Sequence, residues 1–193
     1  MAAVSETEPD LILVGERVGL GPLRRDLAET YGRWVNQLDV RFGLEHLGLA
    51  TKQTEETWVD EAVKAGAERE PATASFTIYD LSDRAPVGTT SLFEISCLHG
   101  NANFGIALGE RRNQGLGGEA TRLMLDWGFH VLGLQNILLE ALARNTAALR
   151  AYEKAGFRRI GIRRLAAMSR GERSDIVLMD ALRADFTGSV LAR

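Results

Sequence analysis

The stretch Glu110–Glu119 (ERRNQGLGGE) places three glycines and two arginines just before an apolar helical pattern. Gly115, Gly117 and Gly118 let the backbone turn tightly and approach a ligand with no Cβ in the way. The helix after them opens with unpaired amide N–H groups and the positive end of its dipole. Such a turn suits an anion such as pyrophosphate, and Arg111 and Arg112 beside it add positive charge. Glycine-rich turns also arise for geometry alone. Neither main nucleotide fingerprint fits: the chain has no G-x-x-x-x-G-K-[ST]. Nor does a G-x-G-x-x-G follow a first strand with an acidic residue about twenty positions on.

Asn145 and Tyr152 form a second candidate pair. They stand seven residues apart, about two helical turns, so both can face one side of a helix. Asn145 also reads as a helix N-cap, and Tyr152 as a core aromatic on the stripe Ala148, Leu149, Tyr152, Ala155. Glu94 lies on a strand and could act as a base or simply be solvated. Glu140, inside an apolar strand, requires a partner or an exposed face. His46, His99 and His130 lack metal-ligand spacing, so no metal site is expected. Cys97 has no activating neighbour in the sequence.

The elements that must position these residues follow from periodicity. Leu11–Leu23 reads as an opening strand ending at Pro22, and Asp26 to about Leu38 as a helix with Leu27, Tyr31, Trp34 and Leu38 at helical spacing. Thr54 reads as the N-cap of a second helix ending near Gly66. Ser75–Tyr79, Pro86–Ile95 and Asn103–Leu108 read as strands. A long helix spans Leu116–Leu132, with Leu123, Met124 and Trp127 as core packing. Gln135–Leu142 is a strand, Thr146–Lys154 a helix stopped by Gly156, and Phe157–Ile162 and Asp175–Leu182 are strands. The order β-α-α-β-β-β-α-β-α-β-β is that of a mixed α/β sheet domain.

A chain of 193 residues fits one domain, with residues 1–10 and 185–193 as loose tails around a domain at 11–184. The net charge of −3 argues against broad electrostatic binding to nucleic acid. One cysteine permits no intrachain disulfide, and no 18-residue apolar run is present to span a membrane. With no signal-peptide pattern at the start, a cytoplasmic location is expected.

Arg112-Asn113-Gln114-Gly115-Leu116-Gly117 matches [RQ]-x-x-G-x-[GA], and on it the chain resembles the GNAT superfamily of N-acetyltransferases. The resemblance continues upstream in NANFGIALGE. Downstream it runs through helix, strand, Asn145, helix, Tyr152 and Gly156-Phe157 in the family's order, covering about residues 86–182. In detail it is nearest the subgroup acetylating protein N-termini (RimJ/RimL-like) and spermidine N-acetyltransferase. It implies a mostly antiparallel central sheet flanked by helices, and acetyl-CoA or another acyl-CoA as cosubstrate without a metal. A homodimer is implied too.

By the same resemblance, the Gln114–Gly118 amides, with Leu116 among them, hold the CoA pyrophosphate beside Arg112. Asn145 bonds the pantetheine arm. Backbone groups of Ile106, Ala107 and Leu108 pair with that arm, one amide polarising the acyl carbonyl. Tyr152 protonates the departing thiolate. The acceptor site falls to the first two helices, including Trp34, Arg41, Phe42, Glu45 and His46. Relatives often carry A-E-x-G where this chain has Ala102-Asn103-Phe104-Gly105. Asn103 cannot serve as a base, which leaves Glu94 as substitute.

The expected reaction is direct acyl transfer to a primary amine in a ternary complex. An α-amine of pKa ~7.7–8.0 is about a tenth deprotonated at pH 7, and a lysine-like amine of ~10.4 under a thousandth. The missing carboxylate therefore leans toward a peptide N-terminus. Acetylation of a small amine (polyamine, aminoglycoside or other antibiotic) and a non-catalytic CoA-binding sensor stay open.

Overall fold

The computed structural model describes residues 8–44 and 48–191. The elements are β1 (Leu13–Val14), β2 (Val18–Pro22), α1 (Ala28–Val35), α2 (Leu38–Leu44), α3 (Lys52–Gly66), β3 (Thr73–Asp80), β4 (Ala85–Ser96) and β5 (Asn101–Leu108), then α4 (Leu116–His130), β6 (Asn136–Leu142), α5 (Thr146–Ala155), β7 (Arg158–Ser169) and β8 (Glu172–Leu182). They form one eight-stranded sheet in the order β1-β2-β3-β4-β5-β6-β8-β7. Every pairing is antiparallel except β5 with β6, which are joined through α4 as a parallel pair requires. The expected mixed, mostly antiparallel α/β sheet is what forms.

Neighbouring strand residues point to opposite faces, and the two faces carry different helices. Phe76 and Ile78 pack with Leu116, Met124 and Phe129 of α4 in the main core. Between them, Thr77 faces the other way and meets the hydroxyl of Tyr31 on α1 at 2.5 Å. There Tyr31 and Trp34 pack with Val59 of α3 in a second core. No helix among the described residues is long and apolar enough to cross a membrane.

Several expected boundaries move for identifiable reasons. The opening strand splits into β1 and β2 because Glu119 of α4 accepts hydrogen bonds from the Arg17 and Val18 amides and holds a turn between them. The first helix stops at Val35 and resumes as α2, because the Asn36 side chain reaches across to the backbone of Ala50. The N-cap of α3 is Thr51, not Thr54. Thr54 sits at the third helical position and completes a reciprocal capping box.

Residues 186–191, expected as part of a tail, lie against α4. Phe186 packs on Phe129, while the buried Asp126 carboxylate accepts from Ser189 Oγ and from the amides of Val190 and Leu191. Asp126 also pairs with His130.

Candidate active site

The site begins where the sheet opens. β5 and β6 pair only at Asn101–Asn103 with Asn136–Leu138. Beyond that point β5 stays bonded to β4 and β6 stays bonded to β8. Past that point the edge of β5 that faces away from β4 therefore has no neighbouring strand among the described residues, with Arg112 bonded to the Leu108 carbonyl there. A cleft of about 730 Å³ fills the gap, lined by Ile106, Ala107, Leu108, Asn145 and Tyr152 among others. That size suits an organic ligand rather than an ion.

The glycine-rich turn closes one end of the cleft. Arg111, Asn113 and Gly115 all take left-handed backbone conformations, an alternation that aims successive amides at one point. Gly115 caps α4 at φ +88, a conformation L side chains resist. The Gly118 and Glu119 amides lean back on the Gly115 carbonyl at 3.2 and 3.3 Å. Among the described residues, the amides of Gly115, Leu116 and Gly117 have no such partner, so three donors stand at the positive end of α4. A Cβ on Gly118 would meet nothing within 4 Å, so this wall is open to a ligand.

The side chains around this turn divide. Arg112 lines the cleft, donating to the Leu108 carbonyl at 2.8 Å and to the Gln37 amide oxygen. Arg111 turns away and pairs with Asp80 and Asp83 on the far side of the loop, so the charge expected from it at the cradle is not there. Gln114 borders that far side too, its backbone carbonyl accepting from Arg17 at 2.9 Å. Leu116 sends its side chain into the core. Leu116 can therefore face a ligand only with its backbone. Hydrogen bonds from Ser82 and Arg111 hold Asp80 down to about 2.

Asn145 and Tyr152 both line the cleft from α5, as their spacing predicted. Asn145 caps the helix, accepting from the Ala148 amide at 3.2 Å, which leaves its side-chain NH₂ for another acceptor. Tyr152 packs edge-on against Phe104 with ring centroids 6.1 Å apart. Its hydroxyl has no hydrogen-bond partner among the described residues, and burial pushes its pKa up to about 12. Arg150 and Lys154 on the same helix also line the cleft, and neither has an ion-pair partner among the described residues.

Glu94 sits outside the cleft lining, at a β-bulge between Phe93 and Ser96 where its backbone is left-handed (φ +51). Asn103 donates to its carboxylate. Glu140 is exposed and paired with Arg163 at 2.8 Å. Among the described residues no cluster of His, Cys, Asp or Glu could hold a metal ion.

The family described as an acetyltransferase (GNAT) domain matches residues 17–158. The chain belongs to the GNAT family. Among relatives, the probable N-acetyltransferase YjcK of Bacillus subtilis is 36% identical over 114 residues, 57% of this chain and 62% of that protein. Spermidine N(1)-acetyltransferase of Escherichia coli K12 is 36% identical over 76 residues, 39% of this chain and 41% of that protein. The match thus spans less than two thirds of either relative. Among solved structures, Vibrio cholerae spermidine N-acetyltransferase with CoA and spermine aligns at TM-score 0.78 and 21% identity, covering 88% of this chain and 97% of that one. Ribosomal-protein-S5-alanine acetyltransferase from Vibrio fischeri aligns at 0.79 and 17%, covering 93% and 100%. These two are likenesses of fold.

The acceptor half of this GNAT site was the less legible. Of the residues expected there, Phe42 lines the cleft. Trp34 is buried in the second core. Arg41 instead ties Asn36 to the Gly48 carbonyl, and Glu45 and His46 lie outside the described residues. Sequence reasoning missed Arg144, Ser169 and Arg170, which stand on the cleft wall with Asp39. Arg170 and Gly171 form a two-residue turn between β7 and β8, both at positive φ, which carries Arg170 to Asp39 of α2. A Gly after a strand could have flagged the hairpin, but nothing local shows what it touches.

Proposed function

We propose that this GNAT protein moves an acetyl group, or a related acyl group, from acyl-CoA to a primary amine, with both bound in the cleft at once. The edge of β5 that faces away from β4, running up to the free amides of Gly115–Gly117, carries this reading. An extended chain with amide groups could add to that edge as a strand does, and a pyrophosphate at its end would meet the cradle. The donors fit such a ligand. Gln114 to Gly117 would supply backbone amides, Gly118 the open wall beside them, Arg112 a guanidinium near the turn, Asn145 its free NH₂, and Ile106, Ala107 and Leu108 the strand edge. Acyl-CoA supplies the activated acyl group as a thioester.

The chain's own groups would then handle position and protons. Holding amine and thioester together removes most of the entropic cost of their encounter. A β5 amide would polarise the carbonyl. Glu94, held by Asn103, would draw the ammonium proton away through water. As the N–C bond forms and the C–S bond breaks, Tyr152 would give its proton to sulfur. With its pKa raised to about 12, the phenol keeps that proton throughout the neutral range. The same desolvation raises the proton affinity of a thiolate beside it, and the difference between the two governs the transfer.

The relatives' names include both spermidine and an alanine of ribosomal protein S5, so a small amine and a peptide amine both belong to the proposal. So do a cytoplasmic location, in keeping with the unpaired Cys97, and a homodimer. Tyr152→Phe tests the mechanism. We expect kcat to fall about 100-fold while the Kd for acetyl-CoA, by calorimetry, changes less than about threefold. Unchanged turnover would remove Tyr152 from the acid role.

A further inference from the structure

Two buried side-chain polar atoms lack a hydrogen-bond partner among the described residues, Trp127 Nε1 and Ser169 Oγ. Only Ser169 lines the cleft. It is 1% exposed and closes β7, directly before Arg170. A buried hydroxyl without a partner, on a residue that borders a cleft, is one that a ligand entering the cleft could satisfy.

Arg170 shows which ligand would complete it. Its guanidinium lies over the Phe42 ring, 5.5 Å from the centroid, and bonds Asp39. Asp39 is the one acidic side chain among the described residues lining the cleft, and Arg112 approaches its other oxygen at 3.8 Å. Two arginines therefore occupy the carboxylate that a cationic ligand would need. What remains at this corner is donor capacity, since a guanidinium has no acceptor.

A protonated polyamine also offers only N–H donors; Ser169 Oγ could accept one of them, but the two guanidinium groups can accept none and repel its charge. An amine with a carbonyl or carboxylate oxygen close to its nitrogen brings the missing acceptor. Arg170 is anchored to α2, whereas Arg150 and Lys154, with no ion-pair partner among the described residues, stand on α5.

Resting on the acyl-transfer reading above, we propose that Ser169 and Arg170 orient the acceptor. They select an amine that carries a hydrogen-bond-accepting oxygen beside its nitrogen, as a peptide α-amine does. Ser169 donates its O–H to that oxygen. Arg170, steadied by Phe42, supplies a second donor and disfavours added positive charge.

The test compares an alanyl tripeptide with a free N-terminus against spermidine, for the wild type, Ser169→Ala and Arg170→Glu. Wild type should prefer the tripeptide. Ser169→Ala should raise the tripeptide KM about tenfold, as loss of one hydrogen bond to a substrate does. The Kd for acetyl-CoA should hold, and Tm should not fall, because the hydroxyl has no protein partner to lose. Arg170→Glu should move the tripeptide-to-spermidine ratio of kcat/KM about tenfold or more toward spermidine. Three results would overturn the proposal: a tripeptide KM untouched by Ser169→Ala, an equal weakening of acetyl-CoA binding, or a wild type that prefers spermidine. The acyl-transfer reading fails separately, and takes this proposal with it, if acetyl-CoA binds but no peptide, polyamine or aminoglycoside releases CoA.

Discussion

Asn103 and Glu94 are joined across the β4–β5 ladder, the asparagine amide donating to the carboxylate. The bulge at Phe93–Ser96 makes this contact, because an extra residue on β4 turns Glu94 toward its neighbour on β5. The position where relatives often place a carboxylate thus holds one at second hand. Asn103 occupies the place, and Glu94 brings the charge to it.

This pairing predicts a pH-dependent phenotype for Glu94→Gln. With a peptide α-amine as acceptor, kcat/KM should fall about tenfold near pH 7, where only a minor share of the amine is free. The deficit should shrink toward pH 9, as the amine loses its proton without help. A rate ratio that stays constant across the profile would show that Glu94 does not handle the proton.

Two desolvated phenols, the buried Tyr31 and the half-buried Tyr152, make a prediction about alkaline stability. Desolvation pushes Tyr31 and Tyr152 up to about 12, above the ordinary value of ~10 that an unfolded chain restores. The unfolded state then loses these protons first. Their contribution is complete below about pH 10 and is lost as pH rises toward 12. Urea midpoints measured from pH 9 upward should fall over that window, and Tyr152→Phe should make the fall shallower. A midpoint flat through pH 11 would contradict the burial assigned to both hydroxyls.

Gly118→Leu separates binding from folding. A Cβ there meets nothing within 4 Å, and leucine favours a helix more than glycine by up to ~1 kcal/mol, so Tm should hold or rise. The added side chain should occupy the wall of the cradle and weaken acetyl-CoA by at least about tenfold, read by calorimetry. Wild-type affinity in a folded variant would move the phosphate site elsewhere.

Much of this was legible in the sequence because it depends on local patterns. The glycines after Arg112 and the 3.6-residue stripe of α4 mark the cradle. The seven-residue interval from Asn145 to Tyr152 sets two side chains on one face of α5. What escaped depends on distant partners. Arg111 and Arg112 are adjacent, yet Asp80 and Asp83 draw one away while Gln37 and Leu108 hold the other at the cleft. The break between α1 and α2 answers to Ala50, fourteen residues past Asn36. Ser169 is an ordinary strand residue until the fold shows its hydroxyl unpartnered in a cleft wall. Thr51 and Thr54 are each plausible caps, and only their reciprocal bonds tell which is the N-cap.

The most direct test of acyl transfer is release of free CoA thiol from acetyl-CoA by the wild-type protein in the presence of an alanyl tripeptide, with the peptide product read by mass spectrometry. The account predicts that CoA release requires the peptide and yields one acetylated α-amine per thiol. Tight acetyl-CoA binding with no thiol release across peptides, polyamines and aminoglycosides would contradict it, and would make the cleft a CoA-sensing site instead.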